Sequence, residues 1–570
     1  MHQRSSSLVS SASLVFAGAF VLAGCGETPV PQEPAPDLSN AVYDEAHMLE
    51  VAIEMAPADW ETLRHEAPPL EHFLNANCQD APPTNNYVYM SATVTVDGHT
   101  LSNVGVRKKG NLGSASLSKP SLKVDFGEFV QGQEYSGVEK LTLNNSVQDA
   151  SFTKQCLAYK AFGDAGIASP RCNLAHVTVN GNDLGIYVNV EGVGRRMLRR
   201  FFQDDTGNLY EGQASDFRPG WMATYEKKTN ESDPDRSDLD AVTNALMAND
   251  AELESKLGGV VDIEHFMHYW ATEALVAAWD SYSTDGNNHL VYHDPTSGKM
   301  FFIPWGQDLT FDAFDPLSAP DRPQSVSANS AISRRLYGLP ATRAQYISTM
   351  KELLANSWKE DKLLARGDQL VAQVKEVVPA DIAANADTAY APVRDFINGR
   401  QAVIEAEIAK PVDWPYPPPT DLCMEIMGTV SGSFSTKWGT IDNMDLFSVG
   451  QGMMDFAAPK GSMPATAAMV GSGAGISDGK LGASPAVQIL AAFPDGKARL
   501  LIIWVDKEMY KAGMDVPFDW QSSFGYFLDV TTSPNIMPLG PLFHGKIHFD
   551  QASTKDLDPV TGSFTAEFGN

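Results

Sequence analysis

The sequence predicts an α+β fold in which a sheet-rich lobe precedes a helical lobe and a β-sandwich-like domain follows at the C-terminal end. Alternating apolar runs joined by tight turns occupy much of residues 41–191, which is typical of hairpins. Apolar residues at helical spacing come next and dominate residues 340–410. After a proline-rich segment the chain becomes glycine-rich with short alternating runs, which favours antiparallel strands. At 570 residues the chain is long enough for two or three domains.

The sheet-rich lobe is predicted from two hairpins, a further strand and a helix. The first hairpin is YVYMSATVTVDGHTLSNVGVRKKG, whose apolar residues alternate on either side of an Asp-Gly turn. SLKVDF adds a strand, and residues 151–166 carry apolar residues at helical spacing and end at Gly166. The second hairpin is HVTVNGNDLGIYVNVE, which turns at Asn180-Gly181. We expect the domain that these elements begin to extend over residues 41–410.

The helical lobe is predicted to begin with VDIEHFMHYWATEALVAAW. Its spacing places a set of apolar residues on one helix face, namely Ile263, Phe266, Met267, Trp270, Ala274 and Leu275. Residues 411–423 are too proline-rich to continue a helix, so we expect a linker there. A β-rich accessory domain is then predicted over residues 424–570, where ARLLIIWVD and KIHFDQAS are strand-like.

The N-terminal residues predict export. Arg4 precedes a short apolar run that ends in small residues, as a secretory signal does. The run closes on LAGC, which resembles the lipobox of bacterial lipoproteins. Residues 1–24 are therefore predicted to be a lipoprotein signal peptide, Cys25 the lipidated residue, and the proline-rich residues 25–40 a tether. An ordinary signal with a chance cysteine is the alternative.

Charge and cysteine content restrict the partners. The chain has 42 basic and 71 acidic residues and a net charge of -29, which argues against a general nucleic-acid binder because such proteins neutralise phosphates with basic residues. Beyond Cys25, the cysteines are Cys78, Cys156, Cys172 and Cys423. Their spacing does not fit a zinc site, and an even number in an exported chain predicts structural disulfides whose pairing the sequence leaves open.

One short segment combines acids and amides with a predicted hairpin. NHLVYHD and KMFFIPW are apolar runs separated by PTSG, so their outer ends should lie close together. The loop with Asp280, Asn287 and Asn288 enters at one outer end, and Asp308 follows the other. A proton-accepting acid, with amides and a second acid as oxygen ligands for a hard cation, is the set of groups that phosphoryl transfer uses.

Spacing alone leaves a plainer interpretation of this segment open, because acids and amides beside a turn are most often solvated loop residues. DSYSTDG also has some likeness to a calcium-binding loop. Tyr282 and Thr284, however, stand where that motif has acids, and no Glu closes the loop. Calcium is therefore disfavoured.

A series of motifs then occurs in order over most of residues 41–315. They are KGNLGS followed by SKPSLKVDF, then LTLNNSVQDASFTKQCLAYKAFGDAGIASPR, VNGNDLGIYVNVEGVGRRML, GNLYEG, WDSY, NNHLVYHD and IPWGQDLTF. Together they resemble the CotH family of spore-coat-type atypical protein kinases. The resemblance implies an atypical protein-kinase-like two-lobed fold, with ATP as phosphoryl donor and magnesium or manganese as the metal.

The resemblance also implies roles for individual residues. Asp280 corresponds to the catalytic acid, with Asp285 as a second candidate for that role, and Asp308 corresponds to the metal-binding acid. The other implied ligands are Asn287 and Asn288 for the metal ion, Lys123, Gly110, Asn111 and Gly113 for the nucleotide phosphates, and Glu191 near the adenine.

Two departures from the family pattern leave two functional hypotheses. Gly306 stands where the family has an acid, and Gln155 stands where it tends to have an acid that could hold the phosphate-binding lysine. The first hypothesis is an ATP-dependent Ser/Thr protein kinase that acts on exported or cell-envelope proteins. The alternative is a catalytically decayed pseudokinase, a lipid-anchored scaffold that presents its C-terminal domain to a partner or glycan.

Overall fold

The computed structural model of the chain describes residues 37–83, 87–111, 113–312, 322–410, 413–416, 423–441, 447–458, 461–474, 484–532 and 535–569. The predicted signal peptide, Cys25 and most of the predicted linker lie outside these ranges. Within them, none of the helices combines the length and the hydropathy that crossing a membrane requires.

The first lobe is a closed β-barrel with three helices. Its elements are β1 (Leu49–Met55), α1 (Pro57–His65), α2 (Leu70–Phe73), β2 (Met90–Val96), β3 (His99–Lys108), β4 (Leu122–Asp125), β5 (Lys140–Asn144), α3 (Lys154–Asp164), β6 (Cys172–Val179) and β7 (Asn182–Val190). The strands pair in the order β1-β2-β3-β4-β5-β7-β6, and a parallel pairing of β1 with β6 closes the barrel.

Both predicted hairpins of this lobe are confirmed, and their turns explain why. Asp97 and Gly98 join β2 to β3, and Asn180 and Gly181 join β6 to β7. All four residues have positive φ, which two-residue hairpin turns of the I′ type require and which Asn, Asp and Gly tolerate best.

Strand alternation decides which side chains of the barrel remain outside its core. Val106 and Val124 are fully buried and belong to the core inside the barrel. Arg107, Lys123 and Thr142 pair with one another across β3, β4 and β5. Because successive side chains of a strand point to opposite faces, these three share the outer face. The outer face of β4 therefore carries a lysine toward the second lobe.

The second lobe consists of a small sheet and a helical bundle. Its elements are α4 (Arg195–Leu198), β8 (Asn208–Gly212), β9 (Glu226–Lys227), α5 (Ser237–Leu246), α6 (Leu253–Gly258), α7 (Ile263–Leu275), α8 (Tyr282–Asp285), β10 (His289–Asp294), β11 (Lys299–Pro304), α9 (Ala331–Gly338), α10 (Pro340–Asn356), α11 (Glu360–Val377) and α12 (Ala380–Ile408). The sheet has the order β11-β10-β8-β9.

The helix predicted from VDIEHFMHYWATEALVAAW is α7. It begins after Asp262, whose carboxylate accepts a hydrogen bond from the backbone N–H of His265 and so caps the helix. Phe266 and Trp270 are fully buried in the main core of the lobe, and Ile263 is partly buried against it. The helix therefore packs by the predicted face, and it ends at Leu275, shortly before Asp280.

The C-terminal domain is built on antiparallel strands. They are β12 (Ile426–Lys437), β13 (Gln451–Ala458), β14 (Gly461–Pro464), β15 (Ala467–Ala474), β16 (Pro485–Ala492), β17 (Ala498–Val505), β18 (Met514–Pro517), β19 (Ser523–Thr532), β20 (Asn535–Gln551) and β21 (Pro559–Gly569). They form one antiparallel sheet in the order β14-β13-β12-β21-β20-β19-β17-β16-β15, with β18 paired to β20.

This sheet differs from the predicted β-sandwich because it is continuous. Val430 on β12 and Val487 on β16 are far apart in strand order, yet both are buried in one core, so the sheet curls onto itself. Register shifts interrupt the pairing of β19 with β20 and of β20 with β21. Such bulges bend strands and increase their twist. One curled sheet can therefore enclose the core that two stacked sheets were predicted to enclose.

All four described cysteines are paired, as the even count predicted. Cys156 on α3 is bonded to Cys172 at the start of β6. Cys78 is bonded to Cys423, which lies 345 residues later in sequence and just before the C-terminal domain. Disulfides persist in oxidising compartments, so both pairs are consistent with an exported protein.

Candidate active site

The predicted hairpin is formed by β10 and β11, and it brings the two predicted acids to one end. His289 at the start of β10 pairs with Pro304 at the end of β11. Asp280 precedes the first strand and Asp308 follows the second, and the two carboxylates are close enough for Asp280 to raise the pKa of Asp308. The local sequence pattern therefore assembles this part of the site.

Both predicted metal-binding amides contact the predicted catalytic acid. Asn287 Nδ2 donates a hydrogen bond to Asp280 Oδ1 at 2.7 Å, and Asn288 Nδ2 donates to Asp280 Oδ2 at 2.8 Å. Because the amide nitrogens are committed to Asp280, each amide oxygen points away from it and is the atom that could bind a cation. Asp280 thus orients the two amides.

Gly306 gives room to one of these amides. Its φ is +57°, and a Cβ atom at this position would lie 2.2 Å from Asn288 Oδ1 and 2.6 Å from Asn288 Cγ. Asn288 cannot move away without losing its hydrogen bond to Asp280. The space that the family fills with an acid is therefore occupied by the Asn288 side chain here.

Asp308 is a partly exposed acid in a largely desolvated site, and its charge is only partly compensated. The pKa of Asp308 is raised to about 6, chiefly by desolvation and also by the charge of Asp280, while Lys109 opposes the shift. A nearby cation would stabilise the ionised form of such a desolvated acid. Among the described residues no cluster of three or more His, Cys, Asp or Glu could hold a metal ion, so a metal here would need the amide oxygens and the phosphates of a bound nucleotide, as Mg²⁺ sites commonly do.

Lys123, the predicted phosphate-binding lysine, is desolvated. The pKa of Lys123 is lowered to about 7, chiefly by desolvation and also by the neighbouring cations Lys228 and Arg107, while Glu211 acts in the opposite direction. A cation held among other cations is the arrangement expected where an anion is to be bound. The environment of Lys123 fits a phosphate group.

A second lysine, which the sequence reasoning did not single out, lies nearer to Asp308. Lys109 directly follows β3, and burial lowers the pKa of Lys109 to about 8 against the attraction of Asp308 and Glu211. Lys109 Nζ donates a hydrogen bond to Asn144 Oδ1 at 2.6 Å and lies 5.9 Å from the ring centroid of Trp305. The only available signal was its place in the KGNLGS motif.

Gln155, the second departure from the family pattern, is connected to Lys109 through an amide. Asn144 Nδ2 donates a hydrogen bond to Gln155 Oε1 at 2.7 Å, while Asn144 Oδ1 accepts from Lys109. Gln155 on α3 is therefore linked to Lys109 through Asn144 on β5 by two hydrogen bonds between neutral amides and the lysine. No acid of α3 forms an ion pair in this chain of contacts. The chain of contacts holds Lys109 in place and leaves its charge uncompensated by α3.

The predicted phosphate loop has a conformation that depends on glycine. Gly110 and Gly113 both have positive φ, and a Cβ on Gly113 would lie 2.4 Å from Gln148 Oε1. Asn111 Oδ1 is buried and has no hydrogen-bond partner among the described residues. The same holds in the described chain for Trp279 Nε1 and Gln307 Oε1, which directly precede Asp280 and Asp308 in sequence. Unpaired buried polar atoms fit a site that takes a polar ligand.

Glu191 is not among the residues that gather around Asp308. Its carboxylate accepts hydrogen bonds from Arg171 Nη2 at 2.6 Å, from the Arg171 backbone N–H at 3.1 Å and from Arg200 Nη2. Two guanidinium groups thus engage this buried carboxylate where β7 ends. A contact with adenine stays a prediction.

Glu211 was also missed, although it lies in the quoted motif GNLYEG. Burial raises the pKa of Glu211, but Lys228, Lys123 and Lys109 together hold it below the usual value. Glu211 lies on β8 and forms an ion pair of 3.2 Å with Lys228. It therefore connects the two site lysines of the barrel to the second lobe.

The loop that carries Asp280 is held from behind by a buried acid. The Glu273 carboxylate, on α7, accepts hydrogen bonds from the backbone N–H groups of Tyr282 at 3.1 Å and Ser283 at 3.2 Å. Asp285 Oδ1 accepts from the backbone N–H groups of Ser281 and Asn287. Asp285, the second candidate for the catalytic acid, therefore stabilises the loop.

Comparisons with known proteins show which family the sequence matches. A family model described as CotH kinase protein matches residues 106–409. Inner spore coat protein H of Bacillus subtilis (strain 168) is 22% identical over 259 residues, which is 42% of this chain and 70% of that protein. The inner spore coat protein H-like protein of the same organism is 23% identical over 239 residues, which is 40% of this chain and 65% of that protein. The family match includes both acids and both lysines and excludes the C-terminal sheet.

Proposed function

Because the chain belongs to the CotH kinase protein family, we propose that it transfers the γ-phosphoryl group of ATP to Ser or Thr residues of exported or cell-envelope proteins. The observation that carries this proposal is the pair of acids Asp280 and Asp308, with Lys109 opposite Asp308. Two acids and a desolvated lysine are the groups that phosphoryl transfer requires from a protein.

Each acid has a separate task. Asp280 accepts the proton of the substrate hydroxyl while the hydroxyl oxygen attacks the γ-phosphorus and ADP leaves. Each Asp280 oxygen holds one amide hydrogen bond, and a carboxylate oxygen can accept more than one. Asp308 and the Asn287 and Asn288 amide oxygens would hold magnesium or manganese, which when bound offsets the negative charge of the phosphates.

The lysines bind the phosphates from the barrel side. Lys109 and Lys123 both have pKa values lowered by burial, to about 8 and about 7 respectively. A bound triphosphate would raise both pKa values, so that the energy stored in desolvating the lysines is recovered on binding. Gly110, Asn111 and Gly113 form the loop that covers the phosphates.

We propose that the two lobes correspond to those of an atypical protein kinase. The barrel supplies the lysines and the loop with Gly110 and Gly113, and the helical lobe supplies Asp280 and Asp308. Glu211 on β8 attracts Lys109 and Lys123 of the barrel and Lys228 of its own lobe. We assign residues 41–410 to this domain, 411–423 to the linker and 424–570 to the accessory domain. Glu191 lies at the end of the last barrel strand, where the adenine would bind.

A nucleotide-binding pseudokinase is the second candidate, and one contact favours it. Lys109 is held by the neutral Asn144, which in turn binds Gln155. Kinases use an acid to fix the phosphate-binding lysine, so a neutral relay gives weaker positioning. In that case the chain binds ATP without transferring phosphate and serves as an envelope scaffold.

We propose an exported, lipid-anchored protein held to the cell envelope through Cys25. The secretory signal and lipobox in the sequence support this location, and two disulfides are compatible with it. Its partner would be an exported protein with accessible Ser or Thr residues. A net charge of -29 disfavours nucleic acid as a partner.

The test is transfer of labelled phosphate. Purified mature protein is incubated with γ-labelled ATP, either Mg²⁺ or Mn²⁺, and an envelope protein fraction, beside the Asp308→Ala variant. The kinase predicts labelled Ser or Thr with the wild type alone. Nucleotide binding without transfer under either metal would favour the pseudokinase, and a folded wild type that binds no nucleotide would overturn both.

A further inference from the structure

The loop between β3 and β4, which contains Gly110 and Gly113 and is called the glycine-rich loop here, contacts the C-terminal domain. Ser116 Oγ and Ser118 Oγ both donate hydrogen bonds to Asp506 Oδ2, at 3.1 Å and 3.4 Å. Asp506 directly follows β17 and lies nearly 400 residues away in sequence, with separations of 390 and 388 residues from the two serines. It also lies outside the region that the family model matches.

Asp506 is itself fixed before it contacts the loop. Its other carboxylate oxygen, Oδ1, accepts from the backbone N–H of Glu508 at 2.9 Å, and its own backbone N–H donates to the carbonyl of Ser522. One oxygen therefore belongs to the turn after β17, and Oδ2 is the oxygen that the two serines contact. The carboxylate is a rigid acceptor aimed at the loop.

The same loop is tied to the barrel from its inner side. Asn145 Nδ2 donates to the carbonyl oxygens of Lys119 at 2.6 Å and Gly113 at 3.0 Å. The backbone N–H of Ser121 donates to the carbonyl of Ser114 at 2.8 Å. Residues 113–119 thus lie between Asn145 and Asp506, so a change at Asp506 acts on the segment that forms the proposed phosphate site.

Further contacts near Asp506 fix the position of the C-terminal domain relative to the first lobe. Lys108 Nζ, which is fully buried, donates to Gln521 Oε1 at 2.6 Å. Arg64 forms an ion pair of 2.6 Å with Glu508. The disulfide between Cys78 and Cys423 ties the start of the C-terminal domain to the first lobe. Asp506 therefore approaches the loop from a fixed support.

We propose that Asp506 is a positioning residue that orders the glycine-rich loop for nucleotide binding, so that the C-terminal domain completes the proposed ATP site. The inference rests on the proposed function, because the loop has this role only if it covers phosphates. A loop with glycines at positive φ loses conformational freedom when it binds a ligand, and an ordered loop has already lost part of it. The C-terminal domain thus sets the affinity for ATP without contacting it.

The experiment compares the full-length mature wild type with Asp506→Ala and Asp506→Asn. Asparagine keeps one acceptor oxygen, which can stay on the Glu508 N–H, and its amide N–H groups can donate to the serine hydroxyls, so Asp506→Asn should retain much of the wild-type affinity for MgATP. Loss of two hydrogen bonds to a charged acceptor should raise the KM for MgATP about fivefold to tenfold in Asp506→Ala while kcat changes less than about twofold. The matched control is Asp515→Ala, since Asp515 is on the same domain and bonds to Lys546 and His548 away from the loop.

Amide hydrogen exchange gives a readout that needs no ATP. Residues 113–119 should exchange faster in Asp506→Ala than in the wild type or in Asp515→Ala, whereas the barrel strands should not change. If Asp506→Ala does not fold, the double substitution Ser116→Ala and Ser118→Ala removes the same contacts from the loop side. Unchanged loop exchange in a folded variant would overturn the inference. A wild type that binds no MgATP would overturn the proposed function instead, and loop exchange would still decide whether Asp506 orders the loop.

Discussion

Substituting Gly306 tests whether Asn288 is held where the structure has it. Gly306→Ala adds a Cβ that would lie 2.2 Å from Asn288 Oδ1, so the amide must move away from Asp280. The φ of +57° costs a non-glycine residue about 1 kcal/mol. Losing the charge-assisted hydrogen bond from Asn288 to Asp280 adds about 1.5–3 kcal/mol. We expect Gly306→Ala to lower the free energy of unfolding by about 3 kcal/mol in total.

A double-mutant cycle separates the two contributions. In the Asn288→Ala background the atoms that collide with the new Cβ are absent, so Gly306→Ala should cost only the backbone strain of about 1 kcal/mol. The coupling of about 2 kcal/mol between the two sites is measured by urea denaturation of the four proteins, followed by tryptophan fluorescence. An equal cost of Gly306→Ala in both backgrounds would refute the steric argument. Gly306→Asp, which restores the family's acid, should behave like Gly306→Ala and should not improve metal binding.

Three further predictions concern the proposed site. Lys123→Met should weaken MgATP binding about tenfold and yet raise the free energy of unfolding by about 1–3 kcal/mol at pH 7. The pKa of Lys123 is lowered to about 7 because the folded protein keeps this charge desolvated, which costs stability. Calorimetry measures the binding and urea denaturation the stability, and a destabilised variant would contradict the prediction. Affinity for Mg²⁺ in the presence of ATP should fall about tenfold per pH unit below the Asp308 pKa of about 6 and level off above it. Since that pKa is raised, the metal-free protein loses stability as the pH rises from about 4 to 6, and a flat titration between pH 5 and 7 would contradict the assignment. Asp280→Ala should abolish transfer and also weaken metal-dependent binding, because Asn287 and Asn288 lose the acceptor that orients them; metal-dependent ATP affinity equal to the wild type would contradict that coupling.

Local patterns predicted the parts of the site that are close in sequence. The hairpin β10–β11 follows from two apolar runs and a short turn, and it brings the chain segments that carry Asp280 and Asp308 to one end. The Asn-Gly turn of β6 and β7 has the same local origin. These elements depend on backbone preferences and strand alternation, which a single sequence displays.

The parts that depend on distant contacts could not be predicted. Lys123 was singled out from its place in the strand SLKVDF, and only the fold shows that Lys109 lies close to Asp308 and Asn144. Gln155 read alone indicated a missing ion pair, whereas Asn144 connects it to the lysine. The curling of the C-terminal sheet depends on bulges in β19, β20 and β21, whose positions are set by pairing with other strands. Asp506 reaches its partners from another domain.

The proposed function depends above all on metal-dependent nucleotide binding through Asp308. Isothermal titration of ATP into the full-length mature protein, with Mg²⁺ and then with a chelator, measures it. The control is Asp240→Ala, which removes an exposed acid on α5. We expect the wild type and the control to bind ATP only with the metal, and Asp308→Ala to lose that binding while remaining folded. ATP binding of equal strength in Asp308→Ala, or none in a folded wild type, would contradict the proposed site.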